Sequence, residues 1–94
     1  MADKSERRVA RSLIAEYHQA ELGKLVDHVG GAVDRYRAGE VNAFDVDRVL
    51  FQYSRAAKEL WKFCNLLQVE VAAAMIREHS PHDWWERGAV RDRS

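Results

Sequence analysis

Residues 43–79 read AFDVDRVLFQYSRAAKELWKFCNLLQVEVAAAMIREH, and this stretch decides the fold. From Val46 to Ala74 its apolar residues recur at alternating steps of four and three. Such spacing is typical of an α-helix that packs against other helices along one seam. We therefore predict an all-α fold in which the second helix spans about 43–79.

The same stretch carries further large apolar residues away from the seam, among them Phe51 and Met75. A helix that is apolar over most of its circumference must be covered on several sides, and a chain of 94 residues supplies few helices to cover it. Each large apolar side chain left in water forgoes about 1.5–3 kcal/mol. The pattern therefore predicts a homodimer in which two hairpins form a four-helix bundle. The expected dimer interface consists of Trp61, Phe63, Leu66, Leu67, Val69 and Ile76.

A broad apolar stripe from Val9 to Tyr36 predicts a first helix over about 5–38. Gly39 is suited to end that helix. Asn42, with Asp45 three residues later, forms a capping-box pattern that starts the second helix. A connection this short predicts a long antiparallel αα-hairpin.

Glycines weaken the first helix at Gly23 and at Gly30-Gly31, where each costs about 1 kcal/mol relative to alanine. One interpretation is a bend or break near Gly30-Gly31. The other is a close approach of a second helix, because Gly23 and Gly30 are seven residues apart and share a helix face. The sequence leaves both interpretations open.

A short third helix over about 81–87 is predicted from Ser80-Pro81, with Ser80 as its cap and Pro81 at its first position. This helix carries Trp84 and Trp85 and should end near Gly88. Residues 89–94 are expected to be a loose tail. The whole chain, 1–94, is then a single helical domain.

Composition excludes several classes of protein. Lys and Arg together number 15, as do Asp and Glu, and the formal net charge of zero argues against a general polyanion binder. The single cysteine, Cys64, excludes an internal disulfide framework. Residues 1–11 hold no apolar signal core, and no apolar run approaches the roughly 20 residues that cross a bilayer. We therefore expect a cytoplasmic protein with no membrane span.

Candidate chemical groups are sparse. The Glu-x-x-His motif of di-iron bundles does not occur in the sequence. His79, His82, Asp83 and Glu86 cluster near one turn, but a metal needs three or four fixed ligands. Cys64 lies on the apolar seam, where a thiol is more simply a core side chain than a nucleophile. We expect no catalytic residue, no metal and no cofactor, and hence no enzyme.

Two alternatives to a purely structural role stay open. In the first, the basic residues at the two ends of the chain gather at one end of the bundle beside Trp84 and Trp85, and bind nucleic acid by charge and stacking. The residues expected to make that contact are Arg7, Arg8, Arg11 and Arg87. Interspersed acidic residues lower the field there. In the second, a small ligand binds inside the bundle around Tyr17, His18, Tyr53 and Cys64.

The middle third of the chain carries a motif that includes Gly39-Glu40, Phe44 to Asp47, Tyr53 to Ala57 and Glu59 to Cys64. This segment resembles a small, uncharacterised all-helical family of prokaryotic proteins, a domain of unknown function. The resemblance implies an all-helical fold and no particular activity, cofactor or partner. The function favoured by the sequence is that of a non-enzymatic interaction or regulatory protein.

Overall fold

Four helices make up the described part of the chain, which comprises residues 4–78 and 82–90 of a computed structural model. They are α1 (Lys4–Arg37), α2 (Ala43–Leu66), α3 (Val69–Glu78) and α4 (Trp84–Arg87). Turns connect them, and these residues include no β-strand. The all-α prediction is confirmed.

The turn between α1 and α2 is closed by local hydrogen bonds, as predicted. Gly39 has φ +79, a left-handed conformation that suits glycine. Its N–H donates to the carbonyl of Tyr36 at 3.0 Å, and the N–H of Glu40 donates to Arg35 at 2.9 Å, which is a Schellman motif. Asn42 and Asp45 form the reciprocal capping box, with both bonds at 2.9 Å.

Helix α1 runs without interruption through its glycines, so a break at Gly30-Gly31 is wrong. Close approach of a second helix within the subunit is not seen either. A Cβ atom added at Gly23 or Gly30 would meet no atom of the described chain within 4 Å. Both glycines face open space on the surface of α1.

The prediction of one long helix over 43–79 is wrong, because α2 ends at Leu66 and α3 begins at Val69. Leu67 is extended, with ψ 157, and the side-chain amide of Asn65 donates to the carbonyl of Trp61 at 2.9 Å. The break lets α3 lie along the first turns of α1, where Arg7 pairs with Glu70 at 3.5 Å. No glycine or proline marks this break in the sequence.

The short third helix of the prediction corresponds to α4, but it begins at Trp84 and not at Pro81. Asp83 is its N-cap and accepts a hydrogen bond from the N–H of Glu86 at 3.2 Å. Ser80 and Pro81 lie outside the described residues. The helix ends at Gly88, as expected, and of the predicted tail only Ala89 and Val90 are described.

The core forms where α4 folds back onto the α1–α2 hairpin. Leu25, Ala56, Leu60 and Trp84 are buried together there. Gly88 is buried against the backbone of α2, so close that an added Cβ would lie 2.5 Å from the carbonyl oxygen of Gln52. Helix α4 therefore covers one side of the hairpin.

Candidate interaction surface

Helix α4 is held on its side of the hairpin by polar contacts from both long helices. The indole N–H of Trp84 donates to the hydroxyl of Tyr17 at 2.8 Å. Gln52 donates to the carbonyl of Trp85 at 2.9 Å, and Arg55 donates to the carbonyl of Gly88 at 2.6 Å. Burial raises the pKa of Tyr17, which keeps its hydroxyl neutral as the acceptor of this bond.

The opposite side of the hairpin carries the candidate site. Val26 follows Tyr17 by nine residues, and Trp61 follows Gln52 by nine residues. Tyr17 and Gln52 both contact α4. Nine residues are two and a half helical turns, so Val26 and Trp61 lie on the opposite side of their helices, away from α4. Leu50 lies eleven residues before Trp61, just over three full turns, and therefore shares its side of α2.

We call this side the open face. Its apolar part consists of nine residues: Leu22, Val26, Val29, Val33 and Tyr36 from α1, and Val46, Leu50, Ala57 and Trp61 from α2. Asp47 borders them at the turn end. The four largest exposures are those of Val26 (50%), Tyr36 (50%), Leu50 (45%) and Trp61 (50%). The other five residues are half-buried. A continuous apolar surface of this kind is typical of an interaction site.

The size of the open face is that of a small protein–protein contact. From Val46 to Trp61 it extends about 22 Å along α2. Two helices packed 8–10 Å apart present a surface roughly 20 Å wide. The face therefore covers on the order of 450 Å², about half of the ~800 Å² that each partner buries in a stable complex of standard size.

An apolar groove of about 180 Å³ lies at the turn end of the open face. It is lined by Tyr36, Ala43, Val46, Asp47 and Leu50, of which only Asp47 is charged. The groove is smaller than a typical small-molecule site of roughly 300–1,000 Å³. It therefore fits a single large side chain better than a drug-sized ligand.

The predicted dimer-interface residues are divided by the structure. Trp61 lies on the open face, whereas Leu66 and Leu67 are exposed at the end of α2. Phe63 instead packs into the core, with its ring 5.9 Å from that of Tyr17 and 5.4 Å from that of Trp84.

Val69 and Ile76 of α3 are half-buried. Sequence reasoning did not include Val26, Tyr36 and Leu50 among the candidate surface residues, although all three are exposed. The signal that could have found the first two was the four-three spacing of apolar residues in α1 from Leu22 to Tyr36.

The basic residues at the two ends of the chain are described only in part, since Arg91 and Arg93 lie outside the described residues. Arg7, Arg8 and Arg11 are exposed in the first turns of α1, beside α3. Arg87 lies on α4, which folds back towards the middle of α2. Its guanidinium carbon is 5.2 Å from the ring centroid of Trp84.

The tryptophan rings are also engaged within the subunit. Trp84 is 3% exposed. The ring of Trp85 stacks on that of His28, with centroids 4.1 Å apart and planes inclined by 3°. Neither ring is presented to solvent as a free platform for a nucleic-acid base.

The residues of the proposed ligand site lie beside filled core packing. Tyr17, Tyr53 and Cys64 all pack against the core, and His18 and Cys64 also line a groove of about 360 Å³ between α1 and the α2–α3 break. Burial raises the pKa of Cys64 to about 11, so its thiol is protonated at neutral pH. A protonated, half-buried thiol is poorly suited to act as a nucleophile.

The cluster around the α3–α4 connection is only partly described, since His79 lies outside the described residues. The His82 ring packs edge-on against Phe63 and Trp84, at centroid distances of 6.2 and 5.2 Å. Across positions 4–78 and 82–90, no three His, Cys, Asp or Glu side chains are grouped to hold a metal ion. Nor does any helix in these ranges have the length and apolar character needed to span a bilayer.

Comparison with known proteins gives no match to a protein-family model, a curated protein or a solved structure. The resemblance of the segment around Tyr53 to a prokaryotic helical family therefore stays a prediction.

Proposed function

We propose that this protein is a non-enzymatic helical interaction protein that acts as a homodimer. Two hairpins pack through their open faces and form a four-helix bundle. The observation that supports this proposal is the run of nine uncharged residues on the side of the hairpin opposite α4. Helix α4 does not cover this surface, and Val26, Tyr36, Leu50 and Trp61 are each about half exposed there.

Energetics favour covering this surface. Full burial of a large apolar side chain is worth about 1.5–3 kcal/mol, so burying the remaining half of Leu50 or Trp61 contributes on the order of 1 kcal/mol. A two-fold axis doubles every such contact, because both copies use the same surface. The formal net charge of zero leaves little repulsion between the copies.

A role in nucleic-acid binding receives less support. It relies on Trp84 and Trp85 as stacking platforms, and both rings are used within the subunit. Arg7, Arg8 and Arg11 still form an exposed basic group. A fluorescence-anisotropy titration with single-stranded DNA at low salt tests this alternative, since phosphate contacts weaken steeply as salt rises.

Sedimentation velocity from about 1 to 100 μM tests the proposal. A chain of 10.9 kDa should sediment as a dimer of about twice that mass. Leu50→Glu places a charge in the open face and should shift the protein to monomer. The matched control is Phe51→Glu, because Phe51 is 59% exposed on a different side of the same helix and should leave the dimer intact. A wild-type protein that stays monomeric at 100 μM contradicts the proposal.

A further inference from the structure

The open face carries both a projecting ring and a groove along one line of α2. Ala43, which lines the apolar groove, and Trp61 are 18 residues apart. Eighteen residues are five complete helical turns, so both lie on the same side of α2, about 27 Å apart along its axis. Trp61 is the largest side chain on this face, and half of its surface is exposed.

A two-fold symmetric contact requires a surface that is complementary to itself. Such an axis can lie in the plane of the contact, perpendicular to α2, and pass midway between Trp61 and the groove. Rotation about this axis then places the Trp61 ring of each copy over the groove of the other copy. The midpoint falls near Ser54 and Ala57, whose small side chains allow two helices to approach. In this arrangement the two α2 helices are antiparallel.

The groove also has the right size for its occupant. A cavity of about 150 Å³ lined by aliphatic residues accepts a benzene ring, and this groove has about 180 Å³. Its lining by Tyr36, Val46 and Leu50 suits an apolar aromatic group. Tryptophan is among the residues that most often anchor protein interfaces when held in such a pocket.

We propose that the Trp61 indole of each copy fills the Tyr36–Ala43–Val46–Leu50 groove of a second, antiparallel copy. This inference rests on the proposed homodimer and adds its orientation and its central contact. The two contacts related by the two-fold axis are identical, so each homodimer contains two of them.

Two single variants remove the contact in different ways. Trp61→Ala deletes the ring from both copies. Since each lost anchor contact is worth at least about thirtyfold, the dimer dissociation constant should rise by several hundredfold or more. Ala43→Trp fills the groove from within its own subunit and should weaken the dimer to a similar extent. Phe51→Ala is the control, since it removes an aromatic side chain of similar exposure, 59%, from another side of α2. It should change the dissociation constant less than about threefold.

Mixing the two weakened variants provides a sharper test. Neither variant forms the contact with itself. In a mixed dimer, Trp61 of the Ala43→Trp chain can enter the empty groove of the Trp61→Ala chain, which restores one of the two contacts. Random pairing in an equimolar mixture gives twice as much heterodimer as either homodimer, so native mass spectrometry should show a heterodimer excess at least about tenfold beyond that random ratio.

The outcomes separate this inference from the proposed function. A wild-type dimer that is unaffected by Trp61→Ala, or a mixture without excess heterodimer, overturns the inference and leaves the homodimer in place. A monomeric wild-type protein overturns both. Circular dichroism of each variant shows whether the helices are retained, so that loss of the dimer is not confused with unfolding.

Discussion

The close packing of Gly88 against α2 leads to a strong prediction for Gly88→Ala. An added Cβ would lie 2.5 Å from the carbonyl oxygen of Gln52 and 2.6 Å from the backbone nitrogen of Ala56. These are backbone atoms of a regular helix and cannot move aside as a flexible side chain could. The backbone angles of Gly88, φ −87 and ψ −5, suit alanine, so the cost arises from the clash alone.

The size of the loss in stability follows from the packing and the hydrogen bonds that α4 would lose. Relief of the clash requires α4 to shift from α2 by on the order of 1 Å. Overpacking of this kind costs about 1–3 kcal/mol. The same shift weakens the hydrogen bonds from Arg55 to Gly88 and from Gln52 to Trp85, each worth about 1 kcal/mol net. We expect the free energy of unfolding to fall by about 2–3 kcal/mol.

Urea unfolding at one fixed protein concentration, followed by circular dichroism, measures this change. With a denaturant slope of about 1–3 kcal/mol per molar, the midpoint should fall by roughly 0.7–3 M. Gly23→Ala is the matched control, because Gly23 faces open space in α1. There the same substitution should raise stability by up to about 1 kcal/mol. A Gly88→Ala midpoint within about 0.3 M of the wild type refutes the reasoning.

Three further predictions concern polar groups. Tyr17→Phe leaves the buried indole N–H of Trp84 without its acceptor and should cost about 1–3 kcal/mol, measured by thermal unfolding. The pKa of Asp45 lies below its ordinary 3.8, because the Asn42 N–H and the Arg48 guanidinium donate to its carboxylate. The stabilising effect of the Asp45 carboxylate is therefore present above pH 3.8 and is lost as pH falls through the lowered pKa. In Asp45→Asn, the free energy of unfolding should depend less on pH in this range, as measured by acid unfolding. Cys64, with its pKa raised from 9.0 to about 11, should react with iodoacetamide at pH 8 at least about tenfold more slowly than free cysteine. Its contribution to stability is complete below pH 9.0 and declines as pH rises towards 11, and an equal alkylation rate would contradict this account.

Local signals in the sequence were sufficient to predict the turn of the hairpin. Gly39 ends α1 and Asn42 starts α2 through hydrogen bonds to residues at most five positions away. Such bonds depend on neighbouring residues alone, so the sequence pattern identifies them. The end of α2 at Leu66 is different, because no neighbouring glycine or proline requires it and α3 is placed by its packing on α1.

The candidate site was predicted only in part for a related reason. The sequence correctly indicated exposed apolar residues at Trp61, Leu66 and Leu67. It assigned Phe63 to the same surface, although Phe63 lies on the side of α2 that α4 covers. The tryptophans of α4 were expected beside Arg7, whereas they bond to Tyr17 and Gln52.

By itself, the sequence determined that the chain is all-helical, where the hairpin turns, and that its helices carry more apolar surface than they need for one seam. Helical periodicity settles these points because it determines which residues share a side. Only the tertiary structure decided which side is covered. That choice depends on contacts such as Trp84 with Tyr17, 67 residues apart in the chain, and no local pattern in a single sequence encodes such a distance.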